Sequence, residues 1–347
     1  MDRMVDINKI QIGVVGGGSW GTALAKLLAD KGFVLDLWVF ESEVKEQIEK
    51  ERENKIFLPK IKLPENIIPS NDLGKVVSKK DLVLVVVPSH CMRDVAGRMK
   101  DFISPETIIV TASKGIENKT HLTMTQILAE KIDFLPKENL AVLSGPSFAK
   151  EVANKVPTVV AAASISRSTA EYVQKIFSCS TFRVYVNDDP IGTQLGGAMK
   201  NVLAIAAGIC DGMQMGLNPR AALITRGLTE MNRLGTKLGA DPLTLAGLAG
   251  VGDLLLTCTG ALSRNYTVGW QIGEGKKLDE IISEMRMVAE GVKTTRSVYN
   301  LSKKLGVDLP ICNEVYKVLF EDAPVKETVD RLMTRSLKHE LDGILDQ

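Results

Sequence analysis

The segment IQIGVVGGGSWGTALAKLLADKG (10–32) limits the possible folds more than any other part of the chain. A short apolar run ends directly in glycines, and Gly16, Gly18 and Gly21 satisfy the pattern G-x-G-x-x-G before a helix-forming stretch. Glycines at these positions allow a tight turn, a close approach of the backbone to a pyrophosphate, and close packing of the helix on the strand. Because the glycines follow a strand and open a helix, they predict the first β-α-β unit of a dinucleotide-binding sheet.

Further strand-like runs predict how that sheet continues. They are short, apolar and separated by helix-length segments, as is typical of a mostly parallel sheet buried on both faces. They lie at 34–40, 81–87, 107–113, 140–145, 157–164 and 182–186. After NDDP (187–190) only patterns of helical period follow, at 193–210, 219–239, 278–290, 294–305 and 311–321. We therefore predict an α/β protein, with a Rossmann-like, doubly wound, dinucleotide-binding domain over 1–190 and an all-helical substrate and catalytic domain over 191–347.

Composition excludes several classes of function. The 347 residues carry 43 Lys and Arg against 42 Asp and Glu, a net charge of +1, so neither a nucleic-acid surface nor a polybasic membrane anchor is expected. The N-terminus has no apolar leader, and charged or polar residues interrupt the most apolar later stretch, which predicts a cytoplasmic protein without a membrane span. The five cysteines are far apart, and no His, Cys and carboxylate cluster has the spacing of metal ligands, so no metal is expected.

Glu41 indicates which dinucleotide is preferred. It stands at the predicted end of the second strand, about twenty positions after Gly21, where an acidic side chain can accept hydrogen bonds from the ribose hydroxyls and would repel the extra phosphate of NADP. No arginine occupies 39–44, although Lys45 leaves NADP possible. NAD is therefore the expected cofactor. The neighbouring Phe40 is either an adenine contact or the last core residue of the strand.

Lys200 is the candidate acid–base group. Hydride transfer to or from a carbonyl carbon requires a proton donor or acceptor, and of the three histidines only His90 is expected near the cofactor. Lys200 lies in the apolar run QLGGAMKNVLAIAAGICDG (194–212), and the small Gly196 and Gly197 on its helical face leave room for a ligand. Weak solvation there would lower the pKa of its amine toward the working range. The alternative is a structural lysine that extends its amine to water.

Two other groups complete the candidate site. Lys114 follows a predicted strand at the carboxyl edge of the sheet and can hold a substrate oxygen or phosphate, unless it is an exposed loop lysine. Asp253 can orient Lys200 or bind a substrate hydroxyl. Ser263, Arg264 and Asn265 offer a hydroxyl, a guanidinium and an amide suited to a phosphate, although the same triplet is also typical of a helix cap.

These pieces, in this order, resemble the NAD(P)-dependent glycerol-3-phosphate dehydrogenases, specifically the bacterial soluble form. The resemblance extends over nearly the whole chain and rests on GGGSWGTALA, FLP (57–59), VVVPSH, SKGIE, SGPSFAKEV, GGAMKNVLAIAAGICDG, ALITRGLTEM, GVGDLLLTCTG, SRN and VAEGVKTT (288–295). It implies interconversion of sn-glycerol 3-phosphate and dihydroxyacetone phosphate, usually to supply the former for phospholipid synthesis. Ser147 replaces a threonine that is common in this family. WVFE (38–41) is similar to the NAD-using eukaryotic form.

The resemblance also implies roles for individual residues. Lys200 matches the catalytic base, and Lys114 and Asp253 are grouped with it as catalytic. The implied substrate contacts are Lys114, Gly145, Ser147, Lys200, Asp253, Ser263, Arg264 and Asn265. The implied cofactor contacts are Gly16, Gly18, Ser19, Trp20, Gly21, Phe40, Glu41, Lys114, Ala149, Arg264, Val288 and Glu290. We expect a homodimer, because the apolar helical half leaves room for an interface.

Two other readings stay open. One is a β-hydroxyacid dehydrogenase, which shares the layout of a Rossmann domain, a helical domain and a lysine on an early helix of the latter. A requirement for a phosphorylated substrate would separate the two enzymes. The other is a catalytically silent dinucleotide sensor, which needs the glycine turn but not the proton donor.

Overall fold

The computed structural model describes residues 9–285 and 289–340. The chain forms two compact units. The first contains the residues up to Ser113 together with Met124–Pro190, and the second contains Lys114–Thr123 and the residues from Ile191 onward. The segment Lys114–Thr123 thus belongs to the helical unit, whereas the predicted boundary at 190 placed it in the first domain. Buried Ile116 explains this, because it packs in the apolar core of the helical unit and its carbonyl accepts a hydrogen bond from Ser297 Oγ at 2.8 Å.

The first unit is an α/β sandwich. Its strands are β1 (Ile12–Val15), β2 (Leu35–Trp38), β3 (Glu53–Asn54), β4 (Leu58–Lys62), β5 (Ile67–Ser70), β6 (Leu82–Val85), β7 (Ile108–Thr111), β8 (Leu140–Ser144), β9 (Thr158–Ala163) and β10 (Phe182–Asn187). Its helices are α1 (Ser19–Asp30), α2 (Ser42–Glu51), α3 (Leu73–Val77), α4 (Met92–Met99), α5 (Met124–Lys131), α6 (Ala149–Ala153) and α7 (Arg167–Phe177). Eight strands form one sheet in the order β10-β9-β8-β7-β6-β1-β2-β5.

The sheet confirms the predicted doubly wound, mostly parallel architecture. All its strand pairs are parallel except β8 and β9. Every residue of β1 (IGVV) and β6 (LVLV) is buried, as expected for central strands covered by helices on both faces. The carboxyl ends of β1, β2, β6, β7 and β8 lie at one edge, so the turns that follow these strands are brought to the edge where such sheets bind ligands.

Two features of the first unit were not predicted. The strand β5 at the edge of the sheet is short and contains Pro69. Proline interrupts a strand-like pattern and is tolerated mainly at sheet edges, so the sequence did not indicate a strand here. The strands β3 and β4 form a separate antiparallel hairpin. This hairpin includes the FLP motif (57–59). Two side-chain hydrogen bonds join it to the glycine turn and the start of α1: Asn54 Nδ2 donates to the Gly17 carbonyl, and Ser19 Oγ donates to the Phe57 carbonyl.

The second unit is helical, as predicted. Its helices are α8 (Pro190–Gly212), α9 (Leu217–Lys237), α10 (Pro242–Leu245), α11 (Asp253–Thr259), α12 (Arg264–Gly273), α13 (Leu278–Glu284), α14 (Glu290–Leu305), α15 (Pro310–Phe320) and α16 (Val325–Met333). Residues of α8 from Gly192 to Cys210 are all buried. The other helices therefore surround α8, and its apolar residues form the centre of the core.

Glycines set the distance between α8 and α12. A Cβ on Gly208 would lie 2.1 Å from the carbonyl oxygen of Tyr266, and one on Gly269 would lie 2.0 Å from that of Ile205. Both distances are far below van der Waals contact, so only glycine allows these two backbones to touch. This contact between α8 and α12 is called the glycine seam below. It holds α8, which carries Lys200, against α12, which begins at Arg264.

One segment of the described residues, Pro242–Thr259, has the length and apolarity of a membrane span, with a mean hydropathy of 1.4. It is not one continuous α-helix, because α10 ends at Leu245 and a π-helical turn begins at Leu248. Leu245, Leu254 and Cys258 pack in the core of the helical unit. The segment therefore has the features of a core helix pair.

Candidate active site

Lys200 lies on the buried face of α8, with only 8% of its side chain exposed. Its Nζ donates hydrogen bonds to Asp253 Oδ1 and, at 2.9 Å, to Thr257 Oγ1. The reading of Lys200 as a lysine that reaches for water is therefore wrong. The partners lie 53 and 57 positions along the chain, so no local charge pattern around Lys200 could have revealed them.

Asp253 connects two lysines. Its side chain is fully buried, its Oδ1 accepts from Lys200 and its Oδ2 accepts from Lys114 Nζ at 2.7 Å. Lys114 is 17% exposed, so it is a partner in the cluster and not an exposed loop lysine. When Lys200 is protonated, two ammonium groups share one carboxylate, which leaves a net positive charge among side chains with little access to water. Such a cluster attracts an anion more strongly than the same charges would in bulk solvent.

A π-helical turn, Leu248–Gly252, places Asp253 at the start of α11. Its backbone lies against α8 one turn before Lys200, since a Cβ on Gly196 would come within 2.2 Å of the Ala249 carbonyl oxygen. The prediction that Gly196 leaves room for a ligand is thus wrong at this position. The space is filled by the segment that delivers Asp253 to Lys200.

The electrostatics of the cluster favour proton transfer near neutral pH. Burial lowers the pKa of the Lys200 ammonium to about 7, the negative charge of Asp253 acts in the opposite direction, and the charge of Lys114 lowers it. An amine with a pKa in this range is present in both protonated and neutral forms near pH 7, as general acid–base catalysis requires.

The triplet Ser263-Arg264-Asn265 forms the start of α12. Ser263 is its N-cap, since Ser263 Oγ accepts from the Tyr266 N–H at 3.2 Å, so the helix-cap reading is correct for this residue. The cap uses a lone pair, and the hydroxyl proton can still be donated. Asn265 is buried, and its Oδ1 accepts from the N–H of Gly291 at 2.9 Å. Arg264 is exposed. Glu290, at the start of α14, attracts the Arg264 guanidinium electrostatically.

The glycine turn in the first unit has the geometry predicted for it. Gly16 has a φ of +121° and a Cβ there would lie 2.4 Å from the Val86 carbonyl oxygen, while a Cβ on Gly21 would lie 1.9 Å from the Gly16 carbonyl oxygen. A Cβ on Gly18 would meet no heavy atom within 4 Å. Helix α1 then begins at Ser19, and no side chain caps it. The turn therefore presents open space and a helix N-terminus at the edge of the sheet.

The end of β2 carries the two residues expected near an adenosine. Phe40 is 73% exposed, so it is not the last core residue of the strand, and its ring contacts Trp38 edge to face with centroids 6.2 Å apart. Glu41 is exposed and occupies the N-cap position of α2 without a side-chain cap bond. Both side chains are thus presented at the carboxyl edge of the sheet.

The remaining predicted residues lie in separate places. Gly145 follows β8 with a φ of +152°, and its carbonyl accepts from Ser147 Oγ at 3.0 Å. Ala149 begins α6 and packs against the core of the first unit. The indole N–H of Trp20 is buried without a hydrogen-bond partner among the described residues. Val288 lies outside the described residues.

Thr257 is a site residue that sequence reasoning missed. Its Oγ1 accepts from Lys200 and donates to the carbonyl of Asp253 at 2.6 Å. The signal was present in DLLLTCTG, because Thr257 follows Asp253 by one helical turn and shares its helix face. It became interpretable only once Asp253 was known to face Lys200.

Comparison with known proteins identifies the family. Models described as the N-terminus and the C-terminus of NAD-dependent glycerol-3-phosphate dehydrogenase match residues 11–170 and 189–330. A Syntrophobacter fumaroxidans protein named glycerol-3-phosphate dehydrogenase (NAD(P)+) is 54% identical over 331 residues, which cover 95% of this chain and 97% of that protein. The crystal structure of glycerol-3-phosphate dehydrogenase from Coxiella burnetii matches with a TM-score of 0.90 at 40% identity, covering 94% of this chain and 99% of that one. This chain therefore belongs to the NAD-dependent glycerol-3-phosphate dehydrogenase family.

Proposed function

We propose that this protein interconverts dihydroxyacetone phosphate and sn-glycerol 3-phosphate with NAD(H), NADP(H) being the less favoured cofactor. The observation that carries the proposal is the buried cluster in which Asp253 is shared by Lys200 and Lys114. Family membership supplies the substrate pair, and the named relatives use NAD(P)+.

Lys200 moves the proton. When bound, the nicotinamide cofactor would supply or accept the hydride at C2 of the substrate. Protonated Lys200 donates to the C2 oxygen during ketone reduction, and neutral Lys200 takes the hydroxyl proton during alcohol oxidation. Asp253 and Thr257 hold the Nζ of Lys200 in place, and because Asp253 is fully buried its charge acts on the lysine with little screening. Lys114 offsets negative charge on the substrate.

The net positive charge of the cluster favours a substrate that is an anion. Arg264 is the candidate for the phosphate, because it is exposed and its guanidinium can form two parallel hydrogen bonds. The Ser263 hydroxyl proton and the Asn265 amide are further donors at the start of α12. We assign Gly145 and Ser147 to the substrate as well, on the family resemblance alone.

The turn after β1 suits the pyrophosphate of a dinucleotide. Gly16 and Gly21 allow close backbone packing, and Gly18 leaves the turn open. Ser19 and Trp20 begin the helix, and the indole N–H of Trp20, which has no partner among the described residues, is a donor that a bound cofactor can satisfy. Phe40 offers a ring to the adenine and Glu41 a carboxylate to the ribose. The remaining proposed cofactor contacts are Lys114, Ala149, Arg264 and Glu290.

We also propose that the protein works in the cytoplasm as a homodimer and supplies glycerol 3-phosphate for phospholipid synthesis. Light scattering of the purified protein tests the dimer. A monomer with full activity would remove that part of the proposal and leave the chemistry unaffected.

Substrate and cofactor selectivity test the function directly. The oxidation of NADH is followed at a fixed protein concentration with dihydroxyacetone phosphate, with unphosphorylated dihydroxyacetone, and with NADPH in place of NADH. We expect turnover with the phosphorylated ketone only, faster with NADH. Turnover of short β-hydroxyacids instead would identify a β-hydroxyacid dehydrogenase, and tight NADH binding without turnover of either class would identify a sensor.

A further inference from the structure

The side-chain amide of Asn54 is fully buried and contacts the backbone of the glycine turn, Gly16–Gly21. It belongs to the hairpin strand β3, and its Nδ2 donates to the Gly17 carbonyl oxygen at 2.8 Å and to Thr22 Oγ1 at 2.9 Å. Its Oδ1 accepts from the Phe57 N–H at 3.0 Å. Donor and acceptor sides of one amide are thus both used, which fixes the orientation of the side chain.

The Gly17 carbonyl has a second donor. Thr22 Oγ1, on the first turn of α1, donates to it at 3.1 Å. In a planar trans peptide the carbonyl and the N–H point in opposite directions. Because Asn54 and Thr22 hold the Gly17 carbonyl toward the protein, the N–H of Gly18 in the same peptide unit points away from them. Gly18 is the glycine whose Cβ position is open.

The same hairpin also holds the start of α1. Ser19 Oγ donates to the Phe57 carbonyl oxygen at 2.6 Å. Phe57 therefore uses its N–H on Asn54 and its carbonyl on Ser19, so a single residue of the FLP motif joins the buried amide to the first residue of the helix. The β3–β4 hairpin therefore holds both the glycine turn and the N-terminus of α1.

We propose that Asn54 is a positioning residue for dinucleotide binding, which acts by holding the Gly17–Gly18 peptide with its N–H toward the pyrophosphate. The proposal rests on the proposed function, since it requires that the turn binds NAD(H). Without the amide, the peptide samples other orientations, and the apparent affinity falls by the fraction of molecules that keep the competent one. Acid–base chemistry at Lys200 is not involved.

Asn66 provides a matched control. Its Nδ2 donates to two acceptors as that of Asn54 does, but both are backbone carbonyls and both lie at the C-terminal end of α1, those of Ala29 at 2.8 Å and Phe33 at 2.6 Å. Asn54→Leu and Asn66→Leu thus remove the same kind of bond from opposite ends of one helix, without adding charge. A purely structural role would let both variants lower Tm and would change the Kd for NADH in neither.

The test compares NADH affinity with turnover in the purified full-length protein. Kd for NADH is measured by fluorescence titration, KM and kcat with dihydroxyacetone phosphate, and Tm by calorimetry. We expect Asn54→Leu to raise Kd and KM for NADH about tenfold, the size of one unpaired buried hydrogen-bonding group, with kcat at saturating NADH within about twofold of the wild-type value. Asn66→Leu should lower Tm and leave Kd unchanged.

Three results would overturn the inference. The first is an Asn54→Leu protein that binds NADH as the wild type does, and the second is an equal loss of affinity in both variants. The third is a wild-type protein that binds no NADH, which would overturn the proposed function as well and so differs from the other two. If Asn54→Leu does not fold, Thr22→Val is the second variant: it removes the other donor to the Gly17 carbonyl and one acceptor of Asn54, and keeps the bond from Asn54 to Gly17. We then expect a rise in Kd of about threefold, and an unchanged Kd would contradict the proposal.

Discussion

The two units bury polar groups of different kinds. Among the described residues, the buried polar side chains of the first unit are all uncharged, whereas Lys200, Glu230, Asp253 and Glu314 are buried in the second. A buried charge is costly unless it is paired and hydrogen-bonded. Among these residues the first unit therefore buries neutral polar groups, whereas the second buries ionisable ones, among them the Lys200–Asp253 pair to which we assign the proton transfer.

In the first unit, buried polar side chains serve the backbone. Asn54 holds the Gly17 carbonyl, Ser164 Oγ donates to the carbonyl of Leu140 at 2.7 Å, and Thr169 Oγ1 donates to that of Glu138 at 2.7 Å. Neutral hydrogen bonds of this kind fix loops and strand ends and do not respond to pH between the pKa values of acids and amines. We therefore expect ligand binding there to depend on geometry.

In the second unit, buried charges are bound to oppositely charged side chains or to helix ends. Lys200 and Asp253 form the pair already described. Glu230, on α9, accepts from the N–H groups of Ile311 at 2.6 Å and Cys312 at 3.1 Å, at the start of α15. Burial raises the pKa of Glu230 to about 7, although both backbone donors act against the rise. We therefore expect function and stability there to respond to pH.

The largest effect that separates the units should come from Lys200→Ala. We expect kcat to fall roughly a hundredfold or more, because Lys200 is the proposed proton donor, with Kd for NADH little changed. Steady-state kinetics and a fluorescence titration measure the two quantities. A loss of NADH affinity as large as the loss of kcat would show that Lys200 also contributes to cofactor binding and is not specific to the chemical step.

Asp253→Asn tests whether the buried carboxylate of the second unit controls the pKa of Lys200. The reduction reaction needs protonated Lys200, so its rate in the wild type should fall as pH rises through about 7. Since Asp253 raises the pKa of Lys200, its loss should lower that pKa and move the falling limb down by about one to three pH units. The measurement is kcat for dihydroxyacetone phosphate from pH 5.5 to 9. An unshifted profile would show that Lys200 is not the group that titrates.

Glu230→Gln tests whether a buried charge in the helical unit makes stability depend on pH. The folded carboxyl holds a proton at higher pH than the unfolded one, so the stability it contributes is present below pH 4.5 and is lost as pH rises through about 7. The difference is at most about 3 kcal/mol. Urea unfolding at pH 5 and pH 8 should show a smaller loss of stability in the glutamine variant. Equal losses in the two proteins would be evidence against the assignment.

Arg264→Ala tests the phosphate grip at α12. We expect KM for dihydroxyacetone phosphate to rise about tenfold, because one charge-assisted contact is lost. Arg335→Ala is the matched control, since Arg335 is an arginine of the same unit that pairs with Asp308 at 2.7 Å. If both variants keep the wild-type KM, another group must bind the phosphate.

The smallest effect is expected from Glu41→Ala. The exposed carboxylate is proposed to bind the ribose and to repel the extra phosphate of NADP, so its loss should narrow the preference for NADH over NADPH by a few-fold. The ratio of kcat/KM for the two cofactors measures it. Lys50→Ala serves as a control on the same helix, because Lys50 pairs with Glu46 at 3.2 Å and has no proposed role in cofactor binding. A fixed ratio in Glu41→Ala would show that Glu41 does not discriminate.

Local patterns predicted what depends on local structure. Continuous apolar runs such as DLVLVVV gave the buried strands, and GGGSWG gave the turn, because burial on both faces and glycine geometry leave direct traces in sequence. The strand β5 was missed because Pro69 interrupts its pattern. Lys114–Thr123 was placed in the wrong unit because its attachment, through Ile116 and Asp253, is to residues far away in the chain.

The candidate site was only partly predictable for the same reason. Lys200, Lys114 and Asp253 were identified one by one as chemically suited residues, but nothing in the spacing shows that one carboxylate bridges two ammonium groups. Asn54 lies in a segment without helical or strand periodicity. Its proposed role follows only from its hydrogen bond to the Gly17 carbonyl. Contacts between distant segments depend on packing, which periodicity does not encode.

The central position of α8 has a consequence for how the protein loses activity. Its backbone is buried from Gly192 to Cys210 and joined to α12 by the glycine seam. Amide hydrogens in such a helix exchange with deuterium only when the surrounding structure opens as a whole. The helix that carries Lys200 should therefore show the slowest exchange in its unit, and heat inactivation should follow cooperative melting of that unit, without an earlier step of local fraying.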